Sequence, residues 1–255
     1  MGKADVLADF ISRSLKKYPA DNTALFLWNH GNGWEGFGAD ETNDDDDGYG
    51  GYTFLTLPQL ADAVKRGLGA LGGGGDSDVS DKKFDVLGFD ACLMLQMSVA
   101  STLLVPHAHY LLASQELEPG HGWDYNSLRV TARVPPADPV QLGVALADGF
   151  LRQARDFGTD TIALALIDAA KMPAVQTATS RLARRLTALL KDGAGGGDTV
   201  KAKATAGVAN VRLASFEMVQ APGFPEEGAI DMGHFLTKLA GEAAKWDAET
   251  ATAAT

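Results

Sequence analysis

A histidine and a cysteine stand beside glycines, each just after an apolar segment. "NHGNGW", residues 29–34, follows one such segment, and "GFDACLM", residues 88–94, continues another. A cysteine thiolate is a nucleophile, and an imidazole can take up and deliver its proton. The glycines next to His30 let backbone N–H groups approach a substrate carbonyl. These residue types indicate acyl transfer to a thiol, with Cys92 as the nucleophile and His30 as the proton carrier.

The elements that must position these residues are strands alternating with helices. Strands are predicted at 24–29, 84–89, 109–114 and 161–167, and helices at 4–17, 56–68, 90–104, 139–156 and 171–191. This alternation predicts an α/β fold with a mostly parallel sheet. The strands are nearly continuous apolar runs, as expected when helices cover both faces. Ligands of open α/β sheets bind outside the carboxyl ends of the strands, where His30 and Cys92 are expected to lie.

The predicted setting of Cys92 favours its thiolate form. The sequence predicts that a helix begins near Cys92, and the partial positive charge of a helix N-terminus stabilises a thiolate. Unpaired N–H groups there can also bind an oxyanion. The backbone N–H groups of Gly31 and Cys92 are therefore the expected oxyanion hole. The alternative is that this lone cysteine is a small buried core residue.

Composition excludes some classes of function. The 255 residues include 33 acidic and 22 basic side chains, a formal net charge of −11. Such a chain does not favour nucleic acid or an anionic membrane as a partner, and weakly favours basic ligands. A single cysteine allows no intrachain disulfide. Because no apolar run reaches about 18 residues and no signal-peptide core is visible, we expect a soluble chain and leave its compartment open.

Three motifs together resemble the clostripain family of cysteine peptidases, distant relatives of caspases, gingipains and legumain. They are "HGNGW" at 30–34, "GFDACLM" at 88–94 and "ASQELEPGHGW" at 113–123. The resemblance implies that His30 is the catalytic histidine, that Cys92 is the nucleophile and that Asp90 recognises a basic P1 side chain. It implies an endopeptidase that cleaves protein or peptide substrates after Arg or Lys and requires no organic cofactor.

The resemblance extends over roughly residues 5–240, because "TLPQLADAV" and "IDMGHFLTKLA" are similar to family segments that flank the site. It implies a caspase-like α/β sandwich, a mostly parallel sheet flanked by helices, as a single domain over residues 1–255. Compared with the family, this domain is expected to be truncated at both ends. Glycine-rich composition predicts flexible linkers at 69–83 and 192–199.

Several carboxylates have two interpretations. Asp90 could instead cap the helix predicted near Cys92. Glu116 and Glu118 are candidates for lining the substrate cleft, or they are ordinary loop carboxylates. Asp45 and Asp47 are candidate Ca²⁺ ligands, because Ca²⁺ takes several carboxylate oxygens and clostripain itself depends on calcium. The spacing is not that of an EF-hand, and a solvated acidic loop is the alternative.

Other residues have competing interpretations too. His121 competes with His30 as the base, and the pair His107 and His109 is expected to be structural or exposed rather than metal-binding. Trp34 and Trp123 either wall the cleft or belong to the core.

Family members are often activated by self-cleavage at a basic residue. Lys82 and Lys83, at the end of a glycine-rich linker, are the expected positions. The rival to the enzyme is an inactive, truncated peptidase-like domain that binds peptides or partners without cutting them.

Overall fold

The computed structural model describes residues 2–40, 53–70, 82–133, 135–159, 161–213, 215 and 230–255. Within these residues the chain divides into two compact units, Met1–Met172 and Pro173–Thr255. The prediction of a single peptidase domain stays a prediction.

The first unit alternates strands and helices. Its elements are α1 (Ala4–Lys17), β1 (Ala24–Trp28), β2 (Phe37–Asp40), β3 (Thr53–Leu55), α2 (Leu57–Gly69), β4 (Phe84–Asp90), α3 (Met97–Val99), a π-helix (Ala100–Leu104), α4 (Val105–His107), β5 (Ala108–Ala113), a 3-10 helix (Tyr125–Ala132), α5 (Pro139–Asp156), β6 (Ala165–Asp168) and a 3-10 turn (Ala169–Lys171). Helix α6 (Met172–Asp192) begins at the boundary, and a 3-10 turn (Gly193–Gly195), α7 (Gly197–Leu213), α8 (Met232–Ala243) and α9 (Ala248–Ala253) follow.

The main sheet has the order β1-β4-β5-β6. Strands β1, β4 and β5 are parallel, and β6 runs antiparallel to β5. The prediction of a mostly parallel sheet flanked by helices is therefore confirmed. The register pairs Trp28 with Asp90, the last residues of β1 and β4. Because both strands end at the same edge, the segments that contain His30 and Cys92 leave the sheet side by side.

Apolar side chains on both faces of the sheet explain the continuous apolar strands. On one face, Leu87 and Phe89 of β4 belong to a core shared with α1, α2 and the helical segment before β5. On the other face, Val86 belongs to a core that includes Trp123 and residues of α5. Helices α1 and α2 pack at Gly67, where a Cβ atom would lie 2.6 Å from Cβ of Ile11.

Capping residues set the start of two helices. Thr56 and Gln59 form a capping box at the start of α2, with a reciprocal pair of side-chain-to-backbone hydrogen bonds. Asp138 and Gln141 form a second capping box at the start of α5. Such contacts satisfy N–H groups that a helix cannot pair internally, which is why both helices begin where the sequence predicts.

The structure corrects two local predictions. The segment 30–55, in which the sequence analysis predicts no strand, contains β2 and β3, which form an antiparallel pair. Their four and three residues are too short to show a strand pattern in the sequence. The helix predicted to begin near Cys92 begins at Met97 instead. Leu93 has a φ of 65°, a left-handed conformation that cannot continue a right-handed helix.

The two predicted linkers differ in what the structure describes. The segment 69–83 lies mostly outside the described residues. In the segment 192–199, Gly193–Gly195 forms a 3-10 turn and α7 begins at Gly197. In the part of the chain that the structure describes, no helix has both the length and the apolar character needed to cross a bilayer.

The second unit is helical and has its own core. Leu182 of α6, Val211 of α7 and Leu239 of α8 meet in it. Arg185 binds Asp247 through two hydrogen bonds, of 3.0 and 2.6 Å, and so joins α6 to the residue that caps α9.

Candidate active site

The loops that follow β1 and β4 pack against each other. A Cβ atom at Gly31 would lie 2.3 Å from the carbonyl oxygen of Cys92, so only glycine fits there without displacement. Farther along the loop, the backbone N–H of Trp34 donates to Oε1 of Gln96 at 3.1 Å. The amide of Gln96 also fills the space beside Gly33. The sheet edge thus brings the histidine loop and the cysteine loop together.

The backbone around His30 is anchored on both sides. Its N–H donates to Oδ1 of Asn29 at 2.6 Å, and its carbonyl accepts from the N–H of Gly38 at 2.9 Å. The imidazole is exposed. The next residue, Gly31, forms an isolated antiparallel bridge with Phe37, in which the hydrogen bonds are made by residues on either side. In that arrangement the N–H of Gly31 points away from the paired strand and is available to a ligand.

Cys92 lies in a turn held by the segment after β5. Leu93 donates its N–H to the carbonyl of Glu116 at 3.1 Å, and Leu95 donates to the carbonyl of Ser114 at 2.8 Å. The half-buried Sγ of Cys92 accepts the backbone N–H of Glu118 at 3.2 Å. The same Sγ lies 3.8 Å from the carbonyl oxygen of Glu118, to which a thiol can donate.

Asp90, two residues before Cys92, is buried and hydrogen-bonded. Its side chain is 3% exposed, and Oδ2 accepts from the backbone N–H of Trp123 and from the hydroxyl of Tyr125, each at 3.0 Å. Gly122 approaches so closely that a Cβ there would lie 2.9 Å from Oδ2. Asp90 therefore does not cap a helix, and that alternative is wrong.

Glu118 contacts Cys92 through its backbone and lies beside Asp90. Its backbone reaches Cys92, as described above, and its Oε2 accepts from Nε1 of Trp123 at 3.1 Å. Burial, and then the charge of Asp90 within hydrogen-bonding reach, raise the pKa of Glu118 to about 9. Burial and Asp90 also raise the pKa of the Tyr125 phenol. At neutral pH the carboxyl group of Glu118 therefore holds its proton.

The remaining cleft candidates differ in exposure. Glu116 is half-buried, and its carbonyl accepts hydrogen bonds from Leu93 and from the hydroxyl of Ser114, so its backbone helps to hold the cysteine turn. Trp34 is 64% exposed beside His30, whereas Trp123 is 3% exposed and belongs to the core.

His121 is held by α5. Its ring stacks on Phe157 at 4.8 Å, and Nε2 of Gln153 lies 3.1 Å from its Nδ1. These contacts engage one ring nitrogen and fix the ring against the helix, which disfavours His121 as the base.

The described residues test only some of the predictions on metal binding. His107 ends α4 and is buried, and burial lowers its pKa, whereas His109 lies in β5 and is exposed. No group of three or more His, Cys, Asp or Glu side chains suited to a metal occurs among the described residues. Asp45 and Asp47 lie outside those residues, so the Ca²⁺ site stays a prediction.

Comparison with known families decides the affiliation of the chain. The sequence model of the clostripain family, Peptidase_C11, matches residues 1–220. The chain belongs to the clostripain family. A comparison with curated protein sequences finds no significant match.

Solved structures of clostripain-family proteases share this fold. An inactive zymogen C11 protease from Parabacteroides distasonis has a TM-score of 0.59 and 17% identity, over 99% of this chain and 57% of that one. A secreted C11 cysteine protease from Bacteroides thetaiotaomicron, in complex with an irreversible peptide inhibitor, has a TM-score of 0.52 and 22% identity, over 71% and 49%. Another structure, that of the secreted C11 cysteine protease "iotapain" from the same organism, has a TM-score of 0.53 and 16% identity, over 72% of this chain and 49% of that one. The chain spans about half the length of these proteins, and the caspase-like fold is confirmed.

Sequence reasoning missed the residues that surround Asp90. Trp123 and Tyr125 supply its hydrogen-bond donors from a segment more than thirty residues downstream. Gln96, which joins the two loops, was also missed. In the resemblance to the clostripain family, "GHGW" accompanies the cysteine motif. This association was the one available signal, and it did not indicate which atoms of the two motifs are in contact.

Proposed function

We propose that this chain is a cysteine endopeptidase that cleaves after Arg or Lys. The observation that carries the proposal is the contact of Gly31 with the carbonyl of Cys92, because it sets the histidine loop of a clostripain-family chain against its cysteine turn. Sγ of Cys92 attacks the scissile carbonyl carbon and forms a thioester. His30 takes up the thiol proton and delivers it to the leaving amine, and water then hydrolyses the thioester.

The backbone around the nucleophile supplies the oxyanion hole of this mechanism. The N–H of Gly31, directed away from its paired strand, and the N–H of Cys92 donate to the carbonyl oxygen as it becomes negative. Such donors, fixed before the reaction, typically contribute about 3 to 4 kcal/mol to the transition state. Gly31 suits this role because a side chain there would push the loop away from Cys92.

Asp90 selects the basic P1 side chain. The thioester carbon is bonded to the P1 Cα, so the P1 side chain starts close to Cys92 and to the buried Asp90. A carboxylate can bind guanidinium through two charge-assisted hydrogen bonds. No ion pair to Asp90 or Glu118 occurs among the described residues, so no described cation competes for them. Glu118 and Glu116 complete the acidic lining, and the net charge of −11 favours basic substrates.

The proposal requires no organic cofactor, and Ca²⁺ at Asp45 and Asp47 remains part of it. Self-cleavage is proposed after Lys82, which is exposed, rather than after Lys83, whose Nζ donates to the carbonyl of Val105 at 2.8 Å. A Cys92-dependent cut after Lys82, seen by intact mass, supports this order. An uncut chain after prolonged incubation with Ca²⁺ contradicts it.

The test uses the fact that Cys92 is the sole cysteine. A chloromethyl ketone peptide with Arg at P1 should add one adduct to the intact protein, and fluorogenic peptides with Arg or Lys at P1 should be cleaved while an Asp peptide is not. Cys92→Ala should abolish both results, and His30→Ala should slow both by about a hundredfold or more. Asp148→Asn, which removes an exposed carboxylate of α5, is the matched control for Asp90→Asn.

Two outcomes would separate the enzyme from its rival. Cleavage after Arg or Lys that survives in Asp90→Asn would leave the peptidase intact but remove Asp90 as the selecting residue. A folded chain that neither reacts nor cleaves, with and without Ca²⁺, would favour a peptide-binding module.

A further inference from the structure

Asp90 and Glu118 form a buried pair of carboxyl groups that both accept hydrogen bonds from Trp123. Asp90 is 3% exposed, and two donors from the Trp123–Tyr125 segment satisfy its Oδ2. Glu118 lies within hydrogen-bonding reach of that carboxylate. Oε1 of Glu118 is buried and has no hydrogen-bond partner of ordinary geometry among the described residues, although the backbone N–H of Ala91 lies near the same carboxyl group. A proton shared by the pair supplies the missing hydrogen bond, because two buried carboxylates in contact cannot both stay charged.

A cation can replace that proton. An arginine or lysine side chain carries a positive charge that stabilises the ionised form of both carboxylates. The proton instead neutralises one carboxyl group and joins it to the other by a hydrogen bond. We infer that a cationic P1 side chain and a proton compete for the Asp90–Glu118 pair, so that binding of a basic substrate releases one proton to solvent. This inference rests on the proposed role of Asp90 in binding P1. The step is balanced, since the cation enters, the carboxylic acid ionises and its proton leaves.

Among the titratable groups around the Asp90–Glu118 pair, Glu118 is the one whose pKa lies in the mildly alkaline range. Asp90 ends β4, and Tyr125 of the 3-10 helix keeps its phenol proton, because burial and Asp90 raise its pKa. Cys92 contacts the backbone of Glu118, and its thiol is removed by Cys92→Ala. His30 lies on the facing loop, and its side chain is exposed. Burial raises the pKa of Glu118 to about 9, so the empty site holds its proton at neutral pH.

Competition of this kind predicts affinity that rises with pH. Below about pH 9 the cation must displace a proton, and each unit of pH raises its affinity by up to about tenfold. A basic substrate therefore binds better in mildly alkaline solution, whereas an uncharged P1 side chain gains nothing.

The experiment measures binding without chemistry. The full chain carrying Cys92→Ala is titrated with benzamidine, an arginine mimic that stays protonated throughout, by calorimetry at about pH 7.5 and about pH 8.5 in two buffers of different ionisation enthalpy. We expect close to one proton released per ligand at the lower pH, and a Kd about tenfold smaller at the higher pH. Adding Glu118→Gln should reduce the release to near zero and make Kd vary by less than about twofold. Adding Asp148→Asn should change neither quantity.

The outcomes separate this inference from the proposed function. Benzamidine that binds with no proton release and a constant Kd, but is lost with Asp90→Asn, overturns the competition and leaves the selection of Arg or Lys standing. Proton release that persists in Glu118→Gln also overturns it, because the proton then belongs to another group. No binding by the folded chain at either pH, or binding that Asp90→Asn does not affect, overturns both.

Discussion

The contact between Gly31 and Cys92 gives the sharpest test of the site. Gly31 does not have a left-handed φ, so alanine there strains no backbone angle. Its Cβ would nevertheless lie 2.3 Å from the carbonyl oxygen of Cys92 and 2.8 Å from Cγ of Met94. The flexible side chain of Met94 can move, but the carbonyl belongs to the turn that carries Cys92. Gly31→Ala therefore acts on the distance between the histidine loop and the cysteine turn and on little else.

The size of the effect follows from that distance. Ordinary contacts need more than about 3 Å, so the loops must separate by roughly 1 Å, and overpacking of this kind costs about 1–3 kcal/mol. For a chain of this size each kcal/mol lowers Tm by about 2–4 °C. A misplacement of about 1 Å in a catalytic group lowers the rate about a hundredfold. We therefore expect kcat/KM to fall by about a hundredfold while KM changes little and the chain remains folded.

Gly120→Ala is the matched control. Gly120 lies in the neighbouring loop, has no left-handed φ, and a Cβ there would meet nothing within 4 Å. Both variants are assayed on an Arg fluorogenic peptide, by thermal unfolding, and by the alkylation rate of the sole cysteine. Gly120→Ala should behave like the parent in all three. A folded Gly31→Ala that keeps kcat/KM within about threefold of the parent would refute the contact as the basis of the site.

Two further predictions concern stability. Gly67→Ala should destabilise the chain by about 1–2 kcal/mol in urea unfolding, because the clash with Ile11 outweighs the helix propensity of alanine. Gly241→Ala, whose Cβ would meet nothing within 4 Å, should stabilise the chain by up to about 1 kcal/mol. Equal effects of the two substitutions would contradict the packing of α1 on α2. Hydrogen bonds from Arg185 lower the pKa of Asp247 from 3.8 to about 2. This lowered pKa gives stability that is present above about pH 4 and lost as pH falls towards 2, so Asp247→Asn should cost about 2 kcal/mol at neutral pH and progressively less in acid. A cost that does not depend on pH would refute the ion pair.

Much of the fold follows from local patterns in the sequence. The apolar periodicity of residues 4–17 places α1 at its observed bounds, and the capping pair Thr56 and Gln59 fixes the start of α2. The antiparallel direction of β6 was not predictable in this way, because the apolar run at 161–167 says nothing about the direction of the strand. Strands β2 and β3 were missed because pairing between short strands is a tertiary interaction.

The two loops of the site were predictable for a topological reason, and the chemistry around them was not. Parallel strands end at one edge, so the positions of His30 and Cys92 after β1 and β4 follow from the sheet alone. The turn at Cys92 depends on backbone contacts with Ser114 and Glu116, which override the helical pattern of its own sequence. The left-handed Leu93 is the local consequence, and no propensity scale predicts it.

Glu118 shows why one residue of the site resists sequence reasoning. The sequence presents it as one of several loop carboxylates. In the structure its N–H supports the sulfur of Cys92 while its side chain lies on Asp90. A conservative change of Glu118 to glutamine keeps the backbone contact with Cys92 while removing the titratable group beside Asp90. Comparing alkylation rates of Cys92 with and without benzamidine, in the parent and in Glu118→Gln, separates the two contributions of this residue.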